Sequence, residues 1–363
     1  MSKENFKGIL LYTGSRDRSG ESIYPEYSKE DIRKLQEIGV NEFILLDGGL
    51  LCNHYIDEAG EYHQIVTEED VDRLDPSITE IKSPGWHEKF QEQYRGYIRT
   101  HTKGRNLNEH VRLQVEAVRR LVEVDPDIRI WLSFPGVIMH GMVDYYCEAF
   151  KTYVFELGKK SIPAEIWERN IRGYYFHNED LVNDFTVFEN DGSYNSDFNN
   201  PGVKLIKYLS ELVHAEGKKM LWIPYFRFDR WARTGERMGI LANRTDFFDY
   251  IVVQPSYFFA PITKANLEVV KESVRRQEVV DFYGLTFGGE KISGTVIGAE
   301  MEIAEDDSCS VVNRPDQRDR YLAYVEAFKE FVGEYPIIYY ASTRDSAMSE
   351  AVFNYIKDFY QTK

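Results

Sequence analysis

Two stretches decide how this chain reads: Gly173-Tyr174-Tyr175-Phe176-His177-Asn178-Glu179-Asp180 and Thr295-Val296-Ile297-Gly298-Ala299-Glu300-Met301-Glu302-Ile303. Each is an apolar run of strand length that ends in acid. An isolated carboxylate is costly to bury, so acids that close such runs sit where something uses them. Side chains alternate along a strand, so Tyr175, His177 and Glu179 share one direction, and Gly298, Glu300 and Glu302 share another. Whether the acids can meet depends on the sheet that carries them.

Working outward, the same strand-then-helix unit recurs along the chain. Strands are expected at Lys7 to Thr13, Glu42 to Asp47, Ile128 to Phe134, Arg172 to Asn178, Met220 to Pro224, Asp249 to Gln254, Thr295 to Glu302 and Pro336 to Ala341. Amphipathic helices separate them. The first opens on Ser28 with Asp31 three positions on, a capping-box variant, and ends at Gly39. Eight apolar strands alternating with helices spell a parallel sheet covered on its outer face, an α/β fold of the (β/α)8 TIM barrel kind. A doubly wound sheet would place G-x-G-x-x-G after the first strand, where Gly14-Ser15-Arg16 stands instead. The 363 residues are read as one barrel domain, 1–363, with a long insertion, 48–105, after strand two. That insertion falls on the C-terminal face and reads as a structural flap. His54 and His63 within it lack metal-site spacing.

Composition narrows the partners. Hydrophobic residues at 43% and charged residues at 29% belong to a soluble globular protein, and no apolar run approaches a bilayer span. The polar start, Met1 to Lys7, carries no signal peptide, which points to a cytoplasmic location, or to secretion with an export signal removed. Three scattered cysteines, Cys52, Cys147 and Cys309, suggest reduced thiols. A formal charge of −16 argues against nucleic acid and anionic membrane surfaces as partners. Aromatics at 14% fit a carbohydrate partner, since sugar clefts use flat rings as platforms, and fit a tyrosine-rich core equally well.

In such barrels the βα loops build the site at the C-terminal strand ends. The strand ends carry Tyr12, Asp47, Ser133, His177, Asn178, Glu179, Trp222, Tyr225, Gln254, Tyr257, Glu300, Glu302, Tyr339 and Tyr340. There is no lysine for Schiff-base chemistry. No His-x-His follows strand one, so neither a metal nor a cofactor is expected. Two carboxyls flanking a glycosidic oxygen act as proton donor and nucleophile when about 5–5.5 Å apart. Glu179 is assigned as acid/base and Glu300 as nucleophile, with Glu302 as the alternative nucleophile or its positioning group. Asn178 would hold a sugar hydroxyl. Asp47, His177, Trp222, Tyr225, Gln254, Tyr257 and Tyr339 are expected to line the substrate.

The segments Leu221-Trp222-Ile223-Pro224-Tyr225-Phe226, Gln254-Pro255-Ser256-Tyr257-Phe258-Phe259 and Gly298-Ala299-Glu300-Met301-Glu302 resemble those of a bacterial family, domain-of-unknown-function family 4855. The resemblance implies a glycosidase-like barrel over nearly the whole chain. Ser256 stands where that family carries Asn. The Asn178-Glu179 ending and Glu300 also look like the retaining glycosidases with acids on strands four and seven, and that likeness implies the same two roles. The expected activity is therefore retaining glycoside hydrolysis of a neutral or cationic sugar. The rivals are a non-catalytic carbohydrate-binding barrel, and a barrel lyase or isomerase using one glutamate as base with Arg227, Arg230 or Arg344 at the mouth.

Overall fold

A computed structural model of the chain describes residues 5–13, 15–16, 22–46, 54–56, 62–64, 68–73, 88, 91–92, 95, 107–136, 143–179, 201–226 and 234–361. Asp47, Arg227, Arg230 and most of the 48–105 insertion lie outside the described residues.

Eight strands form a closed barrel: β1 (Lys7–Tyr12), β2 (Glu42–Leu46), β3 (Arg129–Phe134), β4 (Ile171–Phe176), β5 (Lys219–Trp222), β6 (Tyr250–Val253), β7 (Val296–Glu302) and β8 (Ile337–Tyr340). Each pairs in parallel with its sequence neighbour, and β8 closes on β1 through Lys7↔Ile337 and Gly8↔Ile338. The sheet carries helices α1 (Lys29–Glu37), α2 (Leu107–Val124), α3 (Val143–Phe150), α4 (Ala164–Asn170), α5 (Pro201–Ala215), α6 (Thr234–Arg244), α7 (Lys264–Arg276), α8 (Pro315–Phe328) and α9 (Glu350–Tyr360). The fold is the (β/α)8 barrel that the alternation of strands and helices dictates.

Strand parity sorts the core into two layers. Leu10, Ile44, Trp131, Tyr175, Leu221, Tyr250, Val252 and Ile338 fill the lumen, while Ile9, Phe43, Ile130, Tyr174, Trp222, Ile251, Ala299 and Tyr339 pack outward beneath the helices. At the N-terminal end Phe6 stacks on Trp131 at 5.9 Å, and Tyr250 meets Trp131 edge-on at 5.7 Å, which plugs the lumen with rings. Below them the fully buried Glu42 accepts the Trp131 indole N–H at 2.9 Å and pairs with Arg129 at 3.0 Å.

Gly173 and Gly298 have a packing reason. A Cβ on Gly173 would fall on the Lys219 carbonyl, and one on Gly298 on the Pro336 carbonyl. Only glycine lets β4 and β7 approach their neighbours this closely.

The Ser28 capping box forms as expected, with Asp31 accepting from the Ser28 amide at 2.8 Å. Asp31 also takes the Arg344 guanidinium at 2.9 Å, which commits Arg344 to tying the start of α9's connection to α1 rather than to the barrel mouth. Three helical connections are irregular. The segment after β3 passes through a π-helical stretch, Lys151–Glu156, before reaching Leu157–Ser161. Helix α8 stops at Phe328 and tightens into a 3₁₀ turn, Lys329–Phe331. The last helix is split, because Ser349 caps a new start by accepting from the Val352 amide. Cys147 and Cys309 are buried, and among the described residues no helix is long and apolar enough to cross a membrane.

Candidate active site

The lumen-facing residues of β4 and β7 rise in tiers: Gly173, Tyr175, His177, Glu179 on one side and Gly298, Glu300, Glu302 on the other. Glu300 and Glu302 are 1% and 0% exposed. Glu179, just past the end of β4, is open to solvent. Its carboxyl is nonetheless raised above the ordinary carboxylate range by desolvation. The two observations agree for a group in a concave mouth, where water reaches it but protein surrounds it. Glu179 raises both Glu300 and Glu302 through like charge, which sets the three acids near one another at this end of the barrel.

The buried pair is asymmetric. Glu302 Oε2 accepts the Tyr324 hydroxyl at 2.5 Å and the Phe258 amide at 3.2 Å, and the carboxyl also takes a backbone hydrogen bond from Ser256. These donors favour the ionised form, yet burial still pushes Glu302 up to about 7. Glu300 is raised well above its ordinary value by burial, then by Glu302 and Glu179, with only a Gln254 hydrogen bond opposing. Glu300 thus has fewer donors than Glu302 to favour its ionised form. Glu300 Oε2 and Glu302 Oε1 are buried and have no hydrogen-bond partner among the described residues. No lysine, arginine or histidine among the described residues pairs with any of the three acids.

The wall is tyrosine. Tyr12 and Tyr340 share a hydroxyl contact of 3.1 Å, and Tyr12 stacks on Tyr24 at 4.2 Å between centroids. Tyr175 lies beneath, and its hydroxyl is raised by burial and then by Glu179 and Glu300. Burial, together with Glu300 and Glu179, pushes Tyr340 to about 12. Phe259 meets Tyr340 edge-on at 5.9 Å. His177 lies 5.9 Å from Tyr175, ring to ring.

Other expected residues are placed as follows. Gln254, 9% exposed, faces the lumen and holds Glu300. Its backbone is zipped to β5's extension by Gln254 N–H to Pro224 O and Phe226 N–H to Gln254 O, both at 2.9 Å. The half-buried Tyr225 donates its amide to the Glu179 carbonyl at 3.0 Å. Asn178 is held through its own carbonyl by Trp222. Tyr257 stacks on Tyr324 and donates its amide to the Tyr324 hydroxyl at 2.8 Å, so it acts on Glu302 through another residue.

Two expectations are corrected. Trp222 points outward, stacked on Phe248 at 5.1 Å, with its indole N–H on the Asn178 carbonyl at 2.6 Å. Tyr339 also points outward, where its hydroxyl meets Tyr321 at 2.9 Å and its ring meets Tyr360 at 5.2 Å. Both are fully buried beneath helices and touch no lumen. Parity carried the signal: residues 339 and 340 cannot both face inward, nor can 222 and 225. Tyr324 comes from a helix and no strand reading reaches it. Ser256 has φ of 58°, left-handed backbone where Asn is favoured over Ser, and this conformation aims its amide at Glu302. The Asn expected there from the family resemblance thus meets a backbone requirement.

No protein-family model matches the chain, so the resemblance to family 4855 gains no support from one, and no curated protein sequence matches. Solved structures similar to it include a GH5-4 broad-specificity endoglucanase from Clostridium longisporum, 12% identical, TM-score 0.45, covering 97% of this chain and 94% of that one. A family GH18 chitinase catalytic domain from a fern is 12% identical, TM-score 0.43, covering 98% of both chains. A GH18 chitinase from Flavobacterium johnsoniae is 11% identical, TM-score 0.39, covering 99% of this chain and 94% of that one.

Proposed function

We propose that the chain is a retaining glycoside hydrolase working at the C-terminal mouth of the barrel, with the whole of 1–363 serving as its single domain. What supports this reading is that Glu179, Glu300 and Glu302 stand on the lumen faces of β4 and β7 at the same barrel end and act on one another as like charges, with Tyr175 and Tyr340 beside them. Glu179 is the acid/base: it is accessible, and desolvation keeps a proton on it more readily than on a free carboxyl. Glu300 is the nucleophile. Each buried acid keeps one oxygen without a partner, Glu300 Oε2 and Glu302 Oε1, but Glu302 is anchored by Tyr324, Phe258 and Ser256 while Glu300 is held by Gln254 alone, which suits Glu300 to move onto a substrate carbon. Glu302 then positions Glu300 and exchanges a proton with it, since two buried carboxylates that act on one another as like charges do not both ionise readily.

In the first step Glu179 protonates the glycosidic oxygen as Glu300 attacks the anomeric carbon and the leaving group departs. In the second, Glu179 takes a proton from water, which displaces Glu300 and restores both carboxyls. Gln254 steadies Glu300, and Tyr12, Tyr340 and Phe259 offer faces and hydroxyls to the sugar. Asn178, His177, Tyr225 and Tyr257 complete the proposed lining.

The test is a panel of aryl glycosides with product stereochemistry followed by NMR. Retention is expected, and Glu300→Gln should lower kcat by at least about a thousandfold while leaving the fold intact. Wild-type turnover by Glu300→Gln removes the nucleophile assignment. Inversion of the product removes the double-displacement scheme.

A further inference from the structure

Resting on the hydrolase reading of this pocket, we infer that its substrate carries a protonated amine, an amino sugar or a chain of them, whose ammonium sits among Glu179, Glu300 and Glu302. Three acids face one lumen, and no cation among the described residues pairs with any of them. Two of their oxygens are buried without a donor, Glu300 Oε2 and Glu302 Oε1. A buried acceptor left unmatched is a place for a donor that arrives with the ligand. A neutral hydroxyl would supply the hydrogen bond but not the charge. An ammonium supplies both, with three donors arranged around one point charge.

The walls suit the same guest. Tyr12, Tyr175 and Tyr340 lie near Glu179, the last two near Glu300 as well, and tyrosine faces attract cations as well as sugar rings. The lumen shows what a self-sufficient acid looks like. Glu42, fully buried at the opposite end, is met by Arg129 and Arg172 and by the Trp131 indole. The mouth acids have no such partners among the described residues. The titratable groups that face them are one another, Tyr12, Tyr175 and Tyr340 from the lumen, and Tyr324 from α8. His177 shares the β4 face. A bound ammonium would also favour the ionised form of both buried glutamates, readying Glu300 for attack only when substrate is present.

Isothermal titration at pH 6 with glucosamine, N-acetylglucosamine and glucose as probes tests this. Glucosamine should bind at least about tenfold more tightly than either neutral sugar, as expected for a desolvated charge pair with an aromatic wall. Its binding should release protons, visible as a heat that depends on the buffer. Glu300→Gln and Glu302→Gln should erase both the preference and the proton release. Glu179→Gln, altered at an accessible position, should weaken the preference without risk to the core. Equal affinity for the three sugars overturns the inference, as does a glucosamine preference that survives all three substitutions. Cleavage of neutral aryl glycosides with no preference for their amino counterparts overturns it while leaving the hydrolase reading standing. A glucosamine preference in a protein that cleaves no glycoside supports the inference and removes the hydrolase.

Discussion

Glu302→Gln offers a test of the site that needs no substrate. Glu302 is fully buried and its carboxyl is pushed up to about 7 from an ordinary 4.5, chiefly by desolvation. The folded protein therefore binds more protons than the unfolded chain between those two values. Stability contributed by this group is present in full below pH 4.5 and is lost as pH rises to 7 and above. The size of the loss is the shift of about 2.5 units at 1.36 kcal/mol each, or about 3 kcal/mol. Glutamine keeps the shape and the acceptor for Tyr324 but cannot ionise. The difference in unfolding free energy, variant minus wild type, should thus move in the variant's favour by about 3 kcal/mol between pH 4.5 and pH 8. Urea denaturation at several pH values, followed by the fluorescence of the buried Trp131, Trp167 and Trp222, reads it out. A difference that stays flat across that range, or moves the other way, would refute the claim that Glu302 is a costly buried acid.

Tyr324→Phe removes the hydroxyl that Glu302 accepts at 2.5 Å. A hydrogen bond to a charged group contributes roughly 1.5–3 kcal/mol, so the acid limb of kcat/KM should move to higher pH by about 1–2 units. An unmoved limb would separate Tyr324 from the ionisation of the pair. Gly298→Ala drives a Cβ onto the Pro336 carbonyl and forces β7 away from β8. A loss of about 3 kcal/mol or more is expected, seen as a fall in Tm by calorimetry, and an unchanged Tm would contradict the close approach.

How legible was this in the chain? The fold was almost wholly so, because parallel strands buried on both faces read as continuous apolar runs, and helices with capping signals separate them. Strand ends such as Glu302 fell where expected. Side-chain direction was legible only where polarity broke the run. Gly298, Glu300 and Glu302 alternate with Ile297, Ala299 and Met301, so their direction could be read. Ile337-Ile338-Tyr339-Tyr340 offers no such contrast, and Tyr339 was placed in the mouth although Tyr340 occupies it. Trp222 misled for a related reason: an indole at a strand end suits a sugar platform as well as it suits a helix interface. The hold on Glu302 was not legible at all, because it is assembled from the α8 residue Tyr324 and the turn at Ser256, more than twenty residues away on either side.

The contrast between Glu42 and the mouth acids bears on why the barrel tolerates them. Both ends of one lumen hold fully buried glutamates, in the same fold and under the same strand geometry. At the N-terminal end two arginines and an indole answer the charge, and breaking such a set costs about 3–5 kcal/mol, as for a structural ion pair. At the C-terminal end burial raises both Glu300 and Glu302, Glu302 adds to the rise of Glu300, and Glu179 adds to both. A barrel selected for stability alone would hold apolar residues at 300 and 302, as it does at Leu10, Ile44, Leu221 and Val252. The acids instead sit where each substitution toward an uncharged side chain should make the folded protein more stable near neutral pH. That is the signature of a site whose carboxylates are held against the fold's own preference for the sake of what they meet.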